Sequence, residues 1–336
     1  MDYSQYPRPV VEDIVRLRRR IQKSGVPEKR VDQNVIIATW NLRSFGRVYE
    51  QWGENPGDPK RNLRAMTCIA EIIRQFDVIA IQEVKGDTSA LRFLLREFLG
   101  SNWGVLMSDI SAGSGGNTER LAYVYDKRRV EPSGLAGEIV LPPTEKGDPM
   151  TQFDRTPYIV GFRSGAESFS LLTTHIKYGK EAVDRVGELK GLADYIAAEL
   201  RSRAKTRGEE NNLIVLGDFN IEDRGDNPLF QAFVSSGLTV PSQLLGLRTT
   251  YDTKPKFYDQ IAWFMGDLNL LSNGKAGVVD FAGAIFKEME PKQMSFRVSD
   301  HFPLWVEFIT DRSTDCMARS LGVNSDAPDP FAGVPD

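Results

Sequence analysis

Eight short apolar or β-branched runs, several separated by helical stripes, constrain this chain more than any other feature. They span residues 35–40, 78–82, 121–125, 158–162, 169–174, 213–216, 260–264 and 303–308. Each has the length and residue types of a strand. Three apolar stripes at helical spacing lie between them. Leu63, Met66, Ile69, Ile72 and Ile73 form the first, Leu91, Leu94, Leu95 and Phe98 the second, and Val183, Val186, Leu189, Leu192 and Ile196 the third. Gly100 suits the C-terminal stop of the second. The alternation predicts an α/β fold.

The flanks differ from this central region. Val10, Ile14, Leu17 and Ile21 share one helical face, with Arg16, Arg18, Arg19, Arg20 and Lys23 around the rest. Residues 1–33 therefore read as an amphipathic helical extension that docks on the main domain, leaving room for a protein partner. Residues 34–310 read as one catalytic-size domain. The stretch 46–60, rich in Gly, Pro and Asn, is an insertion loop within it, and the polar residues 311–336 read as a flexible tail. The glycine-rich stretch 112–116 reads as a mobile loop.

Of 336 residues, 41% are hydrophobic and 26% charged, which is the balance of a globular chain with a large core. Neither a cleavable leader nor a bilayer-length apolar run is visible, so a cytoplasmic location without membrane insertion is expected. With only two cysteines, Cys68 and Cys316, neither a disulfide framework nor a thiolate metal site is expected. The formal charge of −4 gives no global attraction to a polyanion, so any basic binding surface must be local.

The strand runs keep ending on polar residues that a core would not hold. Asn41 and Glu83 follow the first two, and His175 follows the fifth. Asp218 and Asn220 come after the run at 213–216, Asp259 opens the next, and Asp300 with His301 precedes the last. Strand ends in α/β sheets meet along one edge, where such side chains can converge. Carboxylate and amide oxygens suit a hard cation such as Mg²⁺, with Mn²⁺ as an alternative, and the two imidazoles suit proton transfer near neutral pH. Together they fit hydrolysis of a phosphate ester. A carboxylate closing the apolar run before Glu83 is costly unless a cation or donor meets it.

In order along the chain stand Thr39-Trp40-Asn41, Ile81-Gln82-Glu83-Val84, Thr174-His175, Gly217-Asp218-Phe219-Asn220, Tyr258-Asp259-Gln260-Ile261 and Ser299-Asp300-His301-Phe302-Pro303. This ordered set resembles the endonuclease/exonuclease/phosphatase superfamily. Glu119-Arg120 and Asp154-Arg155-Thr156-Pro157 make the likeness closest to the deoxyribonuclease I branch. The chain departs from the secreted enzymes of that branch in lacking their disulfide cysteines, and Asn117 stands where they place a groove-entering aromatic.

The resemblance implies a four-layer α/β sandwich, two stacked mixed sheets flanked by helices, with the site in a cleft at one edge. It implies that Glu83 holds the metal with Asn41 and Asp300 nearby, and that Asp218 and Asn220 line the other side of the phosphate. His301 would pair with Asp259 and His175 with Glu119. Arg155 would hold a non-bridging oxygen, with Arg120, Lys85, Arg43, Lys177 and Arg248 as further phosphate contacts. One histidine would deprotonate water and the other protonate the leaving oxygen, with His301 as base and His175 as acid. Equally physical is a version in which Asp218 orients the water while His301 stays cationic. The expected activity is Mg²⁺-dependent, low-specificity endonucleolytic cleavage of DNA, most naturally duplex. Alternatives are a phosphatase or phospholipase acting on a phospholipid, inositol phosphate or nucleotide, and a non-catalytic scaffold.

Overall fold

The computed structural model describes residues 2–334 apart from 112–116, 142, 144–151, 180–182, 204–211, 236, 252–253, 255, 265–267, 269 and 326. The glycine-rich stretch at 112–116 thus lies outside the described residues. Strand β1 (Asn34–Phe45) shows why the chain folds as it does. Val35 and Ile37 point to one side and Ile36, Ala38 and Trp40 to the other, and all are buried. A strand apolar on both faces needs cover on both faces.

The inner cover is a second sheet and the outer cover is helical. Helix α1 (Arg8–Lys23) and helix α2 (Leu63–Ile73) pack over β1 and β2 (Val78–Lys85). The residues following β2 form α3 (Ser89–Phe93), which continues as a π-helical turn at Leu94–Leu99 and stops at Gly100 with φ 85°. Strands β3 (Trp103–Met107), β4 (Glu119–Asp126), β11 (Leu271–Val278) and β12 (Leu304–Ile309) complete the first sheet, in the order β11-β12-β1-β2-β4-β3.

The second sheet runs β5-β6-β7-β8-β10-β9. Its strands are β5 (Glu131–Glu138), β6 (Tyr158–Ser164), β7 (Glu167–His175), β8 (Leu213–Asp218), β9 (Leu238–Thr239) and β10 (Asp259–Phe264). Helices α4 (Val183–Arg203) and α5 (Pro228–Val234) cover its outer face through Leu189, Leu192, Ile196 and Phe233. The pair β1–β2 is parallel in the first sheet, and β7–β8 in the second, so both sheets are mixed. The molecule is a four-layer α/β sandwich, as the sequence predicts.

Four strands escaped sequence reading. β5 and β11 carry mostly exposed residues, β9 is two residues long, and β3 is an edge strand with one buried anchor, Trp103. Such segments give little periodic signal. The expected flexible tail is corrected: Ser313–Leu321 forms a C-terminal helix, closed by left-handed Gly322 with φ 69°. At the other end, the apolar face of α1 is occupied. Ile14, Leu17 and Ile21 are buried with the α2 stripe, and buried Asp13 accepts a 2.7 Å bond from Arg64.

Candidate active site

The parallel pairs bring the chemistry together, because their strands end at the same edge of the sandwich. His175 ends β7 directly opposite Asp218, which ends β8, and Asp218 in turn faces Asp259 at the start of β10. In the first sheet Asn41 is in register with Gln82, one residue before Glu83. The β2–β4 ladder shifts register between Ile81 and Val84, and Glu83 sits there with φ 60°. A bulge re-aims a side chain at a cost in backbone strain. Glu83 Oε2 accepts a 2.8 Å bond from the Ser44 amide.

Glycine 217 secures the second sheet's contribution. A Cβ there would lie 2.1 Å from the Thr174 carbonyl, and its φ is +147°. Only glycine lets the two chain ends carrying His175 and Asp218 approach this closely.

Each imidazole is oriented by a carboxylate. His301 Nδ1 donates to Asp259 Oδ2 at 2.8 Å, and His175 Nδ1 to Glu119 Oε2 at 3.0 Å. Their Nε2 atoms converge on one oxygen, Asp218 Oδ2, from 3.8 and 3.5 Å. Asn41 Nδ2 donates to that oxygen at 2.9 Å and to Glu83 Oε1 at 3.1 Å. Asp218 Oδ1 accepts from the Asn220 amide at 2.9 Å. Asn220 has φ 52°, and its Nδ2 donates to the Ile176 carbonyl at 2.6 Å.

The charges follow from this packing. Burial alone would disfavour the His301 imidazolium, yet Asp259 and Asp218 outweigh it and push its pKa up to about 10. Burial would raise the Asp218 carboxyl, but the charges of His301 and His175 and the Asn41 bond hold it below its usual range. Glu119 is likewise held well below the carboxylate range against its burial, by His175, Arg155 and Lys85.

The cationic residues predicted for phosphate contact divide. Arg155 is buried beside the site, with Nε donating to Glu119 Oε2 at 2.7 Å and Nη1 lacking a hydrogen-bond partner among the described residues. Lys85 Nζ reaches Glu119 Oε1 at 2.9 Å, and Arg43 reaches Asp300 at 3.0 Å. Lys177 follows His175 by two residues, its Nζ 3.8 Å from Asp154. Arg120 is a correction. It follows Glu119 on the strand and so faces the other way, where Nη1 donates to the Ser108 carbonyl at 2.8 Å. Arg248 pairs with Asp280 at 2.7 Å. Asp300 is half-buried and turned onto Arg43, whereas Asn41 and Glu83 stand together.

The donor set fits a hard cation on a structural ground. Asn41 Oδ1 is buried with no partner among the described residues, beside the half-buried Glu83 carboxylate. A ligand oxygen so placed needs a positive partner. Glu83, Glu119 and His175 offer ligand atoms within 4.8 Å of one another, as do Asp218, Asp259 and His301. In both groups the histidine–carboxylate bonds already use part of that capacity.

Several positioning residues gave no separate sequence signal. Arg61 donates to the carbonyls of Arg43, Ser44, Arg297 and Val298, tying the end of β1 to the segment before His301. Arg224 holds the Asp259 carbonyl and Gln260 Oε1, both at 2.8 Å. Ser299 Oγ donates to the Asn41 carbonyl at 2.6 Å and accepts from the His301 amide at 3.0 Å. Gln82 was legible in part, as an amide in a buried strand, and it bonds Thr39 and Thr173 across the two sheets.

Comparison with known proteins agrees with this layout. A profile of the Endonuclease/Exonuclease/phosphatase family matches residues 38–301. A deoxyribonuclease of Thioalkalivibrio sp. (strain K90mix) is 29% identical over 303 residues, covering 85% of this chain and 74% of that protein. Deoxyribonuclease gamma of Mus musculus is 26% identical over 319 residues, covering 85% and 88%. Among solved structures, an endonuclease/exonuclease/phosphatase family protein from Bacteroides thetaiotaomicron superposes with a TM-score of 0.53 at 18% identity, covering 83% of this chain and 98% of that one. The mannosyl-6-phosphatase Bt3783 of the same organism gives 0.52 at 17% identity, covering 82% and 99%. At these identities the two structures are evidence of fold alone.

Proposed function

Because the chain belongs to the endonuclease/exonuclease/phosphatase family, we propose that it is a divalent-metal-dependent phosphodiesterase whose substrate is DNA. The observation that carries the reading is the convergence of two carboxylate-oriented imidazoles on Asp218 Oδ2, beside the Asn41–Glu83 pair. Glu83 and Asn41 would hold the cation, Mg²⁺ or Mn²⁺ by donor type. Such an ion supplies charge neutralisation at the phosphate and leaving oxygens.

The rest of the chemistry falls to the chain's own side chains. Asp218, kept ionised between two histidines, accepts a hydrogen bond from the attacking water and takes its proton as the new P–O bond forms. His301 stays an imidazolium, held by Asp259, and its Nε2–H stabilises the charge growing on the phosphoryl oxygens. This favours the cationic role for His301 over the role of general base. His175, fixed by Glu119, delivers a proton to the departing oxygen as its P–O bond breaks. Arg155 offers Nη1, which has no partner among the described residues, to a non-bridging oxygen.

Supercoiled plasmid incubated with Mg²⁺ tests the reading. Nicking by the wild type, abolished by chelator and by His175→Ala, is expected. No nicking, alongside hydrolysis of a small phosphate ester, would replace it with the second reading, a phosphatase for a small or lipid phosphate. The chain's formal charge of −4 favours that alternative.

A further inference from the structure

Next to the catalytic residues lies a cleft of about 370 Å³ that the chemistry above leaves unused. Its walls are the insertion loop that follows β1, the end of β2, and Phe296. Three lining residues touch site carboxylates directly: Arg43 reaches Asp300, the Ser44 amide reaches Glu83, and Lys85 reaches Glu119. The cleft therefore adjoins the catalytic cluster through these three contacts.

Its charge opposes that of the whole molecule. Arg43, Arg47, Lys60, Arg61 and Lys85 line it against two carboxylates, Asp58 and Asp87, in a chain whose formal charge is −4. The loop is also pre-shaped. Lys60 Nζ donates to the carbonyls of Asn55 and Pro56, Asn62 Nδ2 to those of Trp52 and Gly53, and Arg61 clamps its base. Gly46 allows the loop to pass Lys85, since a Cβ there would sit 3.1 Å from Lys85 Cβ.

Two features point to a ligand with both a phosphate and a flat face. The Arg47–Asp58 pair, at 2.7 Å, is more than half exposed on both partners. So exposed a pair is weak, and a phosphate competes for its arginine. Phe296 is 45% exposed, although it lies beside buried Ser295, and the Arg43 guanidinium lies 4.0 Å from its ring centroid. An exposed aromatic among cations is the arrangement that stacks an unpaired base while its backbone is held electrostatically.

We propose that this cleft is a second subsite, which takes the nucleotide next to the scissile phosphate on an unpaired or locally opened DNA strand. Arg47 binds the neighbouring phosphate and Phe296 stacks the attached base. The proposal rests on the nuclease reading and deepens it by naming how the strand leaves the site.

The test compares kcat/KM on a short single-stranded oligonucleotide with kcat/KM on bis(4-nitrophenyl) phosphate, which has no neighbouring nucleotide. In the Arg47→Ala/Phe296→Ala variant the ratio falls roughly tenfold. The salt dependence of oligonucleotide KM becomes shallower by about one phosphate contact. Asp58→Asn, which frees Arg47, raises the ratio, so the proposal does not hang on one variant. An unchanged ratio and salt slope in the double variant, or no rise in Asp58→Asn, overturns the subsite alone. Wild-type protein that hydrolyses the small diester but no oligonucleotide overturns the DNA reading and the subsite with it.

Discussion

Glu119 accepts from Arg155, His175, Lys85 and Asn117, and so fixes three cations or potential cations around one carboxylate beside Asp218. Glu119→Gln keeps the shape but removes the charge that orients His175, and kcat on a small diester is expected to fall by about 10²-fold with KM changed less. Steady-state kinetics showing an unaltered kcat would remove Glu119 from the proton-transfer chain. His301 makes a pH prediction. Its pKa is raised on folding to about 10 from an ordinary value of 6.5, so the stability it contributes is complete below about pH 6.5 and lost as pH climbs towards 10. Denaturant midpoints taken with chelator at pH 7 and pH 10 should therefore drop further for wild type than for His301→Gln. Equal drops would place the imidazolium elsewhere. Asp218, Asp259 and both histidines were legible because ionisable side chains rarely flank apolar strands without cause. The lone positions of Arg61 and Arg224 were not, since a buried arginine that bonds mainly backbone carbonyls leaves no pattern in sequence.

At the scale of elements, two backbone devices aim the site: the register shift that turns Glu83 inward, and Gly217 at the contact of β7 with β8. Gly217→Ala drives a Cβ into the Thr174 carbonyl, and equilibrium unfolding should show a loss of about 3 kcal/mol or more. A loss under about 0.5 kcal/mol would mean the strands slide apart freely. Arg61→Met strands buried carbonyls at both ends of the β1-to-His301 tie. Urea melts should report roughly 2–3 kcal/mol of destabilisation, and a neutral result would contradict the clamp. The central strands of both sheets were visible in sequence because burial on two faces makes continuous apolar runs. β5 and β11 were not, because edge strands facing water look like loops, and the C-terminal helix at Ser313–Leu321 was hidden by the polar composition of its segment.

For the whole molecule, the sandwich brings into one edge residues that lie as far apart in sequence as Asn41 and His301, so the site exists only when both sheets are stacked. The acidic chain offers a polyanion no general attraction, so under the proposed DNA reading approach would depend on the local basic cleft beside the carboxylates. The central claim is that His175 and His301 work on one phosphate through Asp218. The kcat of His175→Ala, His301→Ala and the double variant on bis(4-nitrophenyl) phosphate with saturating Mg²⁺ tests it most directly. Each single change should cost about 10²- to 10⁴-fold, and the double little more than the worse single, because groups that act as a unit are not additive. Single variants with near wild-type turnover, or a double whose loss is the full product of two independent losses, would contradict a shared site.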